Sequence, residues 1–279
     1  MEDLLSYLQT LDQVEDRDID LAQVALVLAA LRQPDVSLDR FENHLKKLVE
    51  HLVQAHARLL VDGVEDSADL RLQALRTVFV DQEGYDGDRD HYDSLENASL
   101  MRVIDRRKGV PITLSVLCLH MIRGAGWEGH GLNVPGHFIC RLDVGGDRVM
   151  FDPFDECRAL KAHDLRALVK RTQGADAELS AQFYEPAPNR DILIRLQNNI
   201  KFRQIESEDY AGALETLEAM RLVDPDEHRL LLEIGVLRAR VGQAMAAIRV
   251  LEDYVAVTPD QYNREEARRL LADLKLSLN

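Results

Sequence analysis

Residues 111–123 read PITLSVLCLHMIR, a run that constrains this chain more than any other. Proline suits the first turn of a helix because its missing amide donor would be unpaired there anyway, and Gly124 and Gly126 supply the stop. The predicted helix therefore covers Pro111 to Arg123. Its apolar positions, Ile112, Leu114, Val116, Leu117, Cys118, Leu119, Met121 and Ile122, go nearly all the way round. A helix without a polar face must be enclosed by protein, so the rest of its domain has to be built around it. With 279 residues, 46% of them hydrophobic, the chain is long enough to do so as one large or two modest domains.

Two short runs rich in β-branched and aromatic residues follow, HFICRLDV and DRVMFD, separated by Gly145 and Gly146. They predict a β-hairpin in which His137 begins the first strand and Asp152 ends the second. In antiparallel neighbours the start of one strand lies beside the end of the other, so the two side chains are expected to touch. An aspartate that accepts a hydrogen bond from one imidazole nitrogen fixes the tautomer and makes the other nitrogen the base. That is half of a catalytic triad. The other half would be a cysteine at the amino-terminal end of the buried helix, where the helix dipole and an imidazolium lower the thiol pKa.

The flanking regions predict helices. Asp20 to Leu31 is an apolar helix stopped near Pro34. Ser37 can cap the next, Leu38 to Leu60, in which Leu38, Phe41, Leu45, Leu48, Leu52, Val53 and Leu59 recur at helical spacing, and Asp69 to Val80 makes a third. The polar, glycine-containing stretch EGYDGDRDHYD then predicts a surface loop. Its alternate carboxylates Asp86, Asp88 and Asp90 suggest a calcium loop, but His91 and Asn97 stand where such a loop wants glycine and glutamate, so a solvated loop is expected. Arg106, Arg107 and Lys108 read as a solvated face or as anchors for nearby carboxylates.

The last third contains an internal repeat. DYAGALETLEAMRLVDP at 209–225 matches QAMAAIRVLEDYVAVTP at 243–259, with Ala213 over Ala247, Leu217 over Leu251 and Pro225 over Pro259, each 34 residues apart. This is the period of tetratricopeptide helix pairs. Two such units cannot bury their faces alone and are expected to pack on the core and on a final helix, Arg264 to Leu276. Glu185 to Asn189, with two prolines, is the expected junction.

Charge and cysteine content exclude some partners. A formal charge of −15, from 49 acidic and 34 basic residues, repels a phosphate backbone, so nucleic acid is not an expected partner. The opening MEDLLSYLQT is acidic where a secretory signal is basic, and the longest apolar run, Val24 to Leu31, is too short to cross a bilayer. A cytoplasmic protein is expected, without membrane contact. Cys118, Cys140 and Cys157 are odd in number and lack short paired spacing, so neither a disulfide framework nor a zinc knuckle is indicated. No cofactor and no metal is expected.

Helix, then a Gly-His-Phe strand, then Phe-Asp-Pro, in this order, resembles the transglutaminase-like branch of the papain-type fold. KGVPITLS, LNVPGHF and FDPF more narrowly resemble the bacterial SirB family, in which such a core sits between a helical amino-terminal segment and a tetratricopeptide-like region. The resemblance covers nearly the whole chain. It implies an α+β, predominantly helical protein with a helical segment at 1–90, a transglutaminase-like core at 91–185 and tetratricopeptide-like repeats at 186–279.

The resemblance also marks His137 and Asp152 as the histidine and aspartate of the triad, and it places the nucleophile near Pro111 or Ile112. Neither side chain can attack anything. Cys118 lies about two turns further in, roughly 10 Å away, and reads as a small buried hydrophobe. Two substitutes remain as nucleophiles: Thr113 in the first turn, which would otherwise satisfy backbone groups, and Cys157, a loop thiol just past Asp152. His137 and Asp152 also have a purely structural reading, as a buried pair satisfying each other. The expected function is binding or regulation of protein or peptide partners by a non-catalytic member of the superfamily. The alternative is a cysteine-dependent hydrolase or transamidase using His137 and Asp152 with an unconventional nucleophile.

Overall fold

In the computed structural model, which describes residues 2–60 and 63–277, the first helix is α1 (Glu2–Thr10). It is followed by α2 (Leu21–Ala30), α3 (Asp39–Leu59) and α4 (Ala68–Arg76). The central region carries β1 (Asp86–Gly87), α5 (Leu100–Arg106), β2 (Lys108–Gly109), α6 (Pro111–Gly124) and β3 (Glu128–Val134). It continues with β4 (His137–Val144), β5 (Asp147–Asp152), β6 (Arg158–Leu160) and α7 (Ala162–Gln173). The remaining helices are α8 (Asn189–Glu206), α9 (Tyr210–Val223), α10 (Arg229–Arg240), α11 (Ala244–Val257) and α12 (Gln261–Ser277). The chain is 66% helical with a small sheet, the α+β class that the sequence implies. It divides into two compact units, Asp16–Ile192 and Met1–Glu15 with Leu193–Asn279.

Within the first unit, α6 is the central element: from Pro111 to Ile122 only His120 escapes full burial. One side of it meets β3 and β4, and α2, α3 and α4 pack on it as well. Helices α2, α3 and α4, which lie in the amino-terminal segment at 1–90, thus pack directly on α6. Helix α2 starts where Asp20 caps it, the carboxylate accepting from the amides of Ala22 and Gln23, each at 3.1 Å. Helix α3 buries Phe41, Leu45, Leu48, Leu52 and Ala55 in one stripe, while Val53, read as an inward position, is exposed. Helix α4, capped by Ser67, ends at Arg76, and the chain runs on as a π-helical turn over Thr77–Gln82. The wider turn brings Val78 and Phe79 inward together, both fully buried.

The sheet is antiparallel in the order β3-β4-β5-β6. The predicted hairpin is β4 and β5, with Val144 opposite Asp147 and Cys140 opposite Phe151. Gly145 (φ +56°) and Gly146 (φ +94°) both take the left-handed backbone that a two-residue turn requires. Strand β3 is an addition to the predicted hairpin. The 185–189 segment pairs with it, Ala187 donating its amide to the Gly131 carbonyl at 2.8 Å, so the expected junction adds an edge to this sheet.

In the second unit α9 and α11 are the two copies of the repeat, and α10 and α12 are their partners. Ala213, Ala247, Leu217 and Leu251 are fully buried, as the alignment of the copies implies. Small residues allow the close approach: a Cβ at Gly235 on α10 would sit 2.5 Å from Leu251 Cγ on α11. The predicted last helix closes the array, with Leu271 of α12 packed against Ile248 and Leu251. Lys201 on α8, itself buried, is held by Glu233 on α10. Helix α1 also belongs here: it packs on α9, with Leu8 fully buried.

Candidate functional site

The β4-β5 hairpin brings His137 and Asp152 together. His137 Nε2 lies 2.7 Å from Asp152 Oδ2, and the side chains are only 15% and 8% exposed. The other carboxylate oxygen, Oδ1, accepts the Phe154 amide at 2.9 Å, so the aspartate is gripped on both sides. The Phe154 ring stands edge-on to the imidazole, centroids 6.2 Å apart.

The 83–93 segment, expected as a free surface loop, is tied to this pair instead. Arg89 stacks 5.0 Å from the Phe154 ring centroid and donates to the Phe154 carbonyl at 3.0 Å and to Asp155 at 3.1 Å. Tyr92 meets the same ring edge-on at 5.8 Å. Gly87 is needed beneath it, since a Cβ there would lie 2.6 Å from the Phe154 ring and carbonyl. Tyr85 is fully buried and Asp88 nearly so.

The basic cluster turns out to be the set of anchors. Lys108 reaches Asp86 at 2.8 Å, Arg106 reaches Asp88 at 2.8 Å, and Arg107 reaches Glu83 at 3.2 Å. Asp86 and Asp88 are thereby paired with protein cations, the reverse of a calcium loop. Burial alone would push the Asp88 pKa up, but the His91 amide and the Arg106 guanidinium outweigh it and hold the carboxyl below its ordinary value.

The helix start where a nucleophile would be sought contains Pro111 and Ile112, both buried. The Thr113 hydroxyl is fully buried and donates to the Asn97 carbonyl at 2.8 Å. Asn97 in turn accepts from Arg106 at 2.9 Å and donates to the His91 carbonyl at 2.7 Å, so Thr113 is part of the frame that holds the 83–97 segment.

All three cysteines are buried. Cys157 is not an exposed loop thiol: it is 1% exposed, because the turn at Glu156 (φ +51°) and Cys157 (φ +55°) folds its sulfur inward to 4.0 Å from that of Cys118. Burial pushes the Cys118 thiol pKa well up, the neighbouring Cys157 adding to the effect, and burial raises that of Cys140 as well. Sequence reading missed Phe154 beside the pair, Arg89 stacked on that ring, and Asn97 in the frame at the start of α6. Only the FDPF motif, which contains Phe154, carried a signal for any of them.

A buried helix on an antiparallel sheet that presents a His-Asp pair, with 34-residue helical repeats following it, defines a transglutaminase-like protein with a tetratricopeptide tail. The model of the family described as "Transglutaminase-like superfamily" matches residues 39–198, and a tetratricopeptide repeat model matches 200–272. The chain belongs to the transglutaminase-like superfamily, and its relatives include SirB-like UPF0162 proteins. It is 28% identical to the UPF0162 protein of Xylella fastidiosa (strain Temecula1) over 97% of this chain and 95% of the relative. The UPF0162 protein of Pseudomonas aeruginosa is 30% identical over 82% of this chain and 77% of the relative, and that of Vibrio cholerae 26% over 88% and 89%. No solved structure matches the chain. Among the described residues no helix is long and apolar enough to cross a membrane.

Proposed function

We propose that this chain is a non-catalytic transglutaminase-like protein that binds or regulates protein or peptide partners, with His137 and Asp152 retained as a positioning pair. The observation that carries this reading is the start of α6. The dipole end of the buried helix presents Pro111, Ile112 and a Thr113 hydroxyl already donating to a backbone carbonyl. None of the three offers a thiolate. Cys118 and Cys140 are buried with raised thiol pKa values, the opposite of what nucleophilic cysteine chemistry requires. Tetratricopeptide arrays generally present surfaces to protein or peptide ligands, and the matched repeat region supports that side of the reading.

The test is intact-mass labelling of the full chain with a thiol-reactive probe near neutral pH, in the wild type and in His137→Ala. Slow labelling of all three cysteines in both proteins is expected. Rapid labelling of one cysteine that disappears in His137→Ala would overturn the reading in favour of a thiol enzyme.

A further inference from the structure

Away from the His137-Asp152 pair, the outer end of the β3-β4 ladder gathers a second set of chemistry-bearing residues. Glu128 and His130 are alternate residues on β3, so their side chains share one face of the sheet. Asp143 is the register partner of Glu128 across the ladder and falls on that same face. His130 Nε2 lies 3.2 Å from Glu128 Oε1 and 3.6 Å from Asp143 Oδ2. One ligand atom from each of the three residues lies within 4.8 Å of the others.

Two carboxylates directly opposite each other on adjacent strands repel unless a cation lies between them. Arg141 answers part of this: its Nε and Nη2 donate to Asp143 Oδ2 at 3.0 and 2.8 Å, and its Nη1 is fixed on the Tyr184 carbonyl at 2.8 Å. The guanidinium takes one oxygen and orients the carboxylate. The other oxygen, Asp143 Oδ1, is buried without a hydrogen-bond partner. His130 approaches the Oδ2 that Arg141 holds, so Oδ1 is the oxygen of this carboxylate left without a donor, and a buried carboxylate oxygen without a partner calls for an electropositive group. Ligands about 2.1 Å from a common tetrahedral zinc are roughly 3.4 Å from one another, close to the separations of His130 Nε2 from the two carboxylates.

We propose that Glu128, His130 and Asp143 form a divalent-metal site suited to zinc, one imidazole and two carboxylates being a donor set that zinc accepts. Three protein ligands leave a coordination position open. Glu128 and His130 also line a depression of about 620 Å³, together with Arg123, Trp127 and Asn189. The open position therefore has space for water or a small anionic ligand, with the Arg123 guanidinium on the same wall.

The test is isothermal titration of zinc chloride alone into the chelator-treated full chain, paired with NMR of the histidine ring Cε1–H resonances. One equivalent bound at micromolar affinity is expected, with a single perturbed histidine signal that is absent in His130→Ala. His130→Ala and Glu128→Gln are each expected to weaken binding at least tenfold. Glu128 is 68% exposed at its side chain, so Glu128→Gln is expected to fold as the wild type does, which circular dichroism of the variant checks. His163→Ala, a surface histidine 75% exposed, serves as the control and should bind as the wild type does. No binding in the wild type, or an equivalent that persists at full affinity in both His130→Ala and Glu128→Gln, would overturn the proposal.

Discussion

Asp152 holds His137 through one carboxylate oxygen and the Phe154 amide through the other, at 2.7 and 2.9 Å, so one side chain fixes both the imidazole and the turn that follows β5. Removing it disturbs two partners at once. Asp152→Ala is expected to cost about 2 kcal/mol of unfolding free energy, the range for hydrogen bonds to a charged group, and His137→Ala less, because the Phe154 contact survives there. Urea denaturation of the two single variants and the double variant checks this. A coupling near zero would mean that the pair does not act as a unit.

Asp88 is the most buried carboxylate in the ladder of anchors, 6% exposed at its side chain against 29% for Arg106. Its folded pKa is depressed, so it contributes stability that is present above the unfolded value of about 3.9 and is lost as pH falls through the lower folded value. His91 and Glu96 also face this pair, at 3.8 Å from Asp88 and 3.4 Å from Arg106. Asp88→Asn is expected to lower stability at pH 7 and to flatten the loss of stability in acid. Asp88→Ala, which removes the acceptor of the His91 amide and leaves Arg106 with Asn97 and Glu96, should cost about 2 kcal/mol. Urea midpoints measured from pH 7 down to pH 3 test both statements, and a variant as acid-sensitive as the wild type would contradict the assignment.

Gly235→Ala sets helix propensity against packing. Alanine gains about 1 kcal/mol in a helix interior, but its Cβ would fall 2.5 Å from Leu251 Cγ in a buried contact between α10 and α11. Overpacking costs about 1–3 kcal/mol, so the net change should be destabilising, and Gly235→Val should be worse. Thermal melts of the full chain decide the sign; a stabilised Gly235→Ala would show that the helices can separate without penalty.

Thr113→Val keeps the shape of the side chain and removes its bond to the Asn97 carbonyl. The expected cost is about 1 kcal/mol, since the Asn97 carbonyl loses its shorter donor and keeps only the Val110 amide at 3.4 Å. Chemical denaturation measures it. Hydrogen exchange of the 83–97 amides should rise in parallel, and unchanged exchange there would mean that Thr113 does not hold the segment.

The parts of this molecule that the sequence made legible are those in which composition alone forces the answer. Helix α6 has no polar stripe, so burial was its one option. The β4-β5 hairpin has two adjacent glycines at its turn and alternating runs on either side. The repeat announces itself by its 34-residue offset. Strand β3 was not visible because Gly129 and Gly131 weaken its strand pattern. Both are glycine for steric reasons: a Cβ at 129 would lie 2.5 Å from Ile122 Cγ2, and one at 131 would strike the Phe138 ring. The π-helical turn after Arg76 was unreadable for another reason, since an α pattern continues through Val80 without a break. In the candidate site, His137 and Asp152 followed from strand geometry, whereas the burial of Cys157 depends on a left-handed turn at two non-glycine residues that no local signal predicts.

Helix α1 packs on α9, and about 200 residues of chain separate the two. At a synthesis rate of about 5–20 residues per second, α1 leaves the ribosome roughly 10–40 seconds before the surface that will cover Leu8 has been made. During that interval Leu8 has no native partner on α9, while the segment that builds the His137-Asp152 hairpin is being completed. Helix α1 is therefore made well before the surface it docks on, and its apolar face is uncovered for that interval.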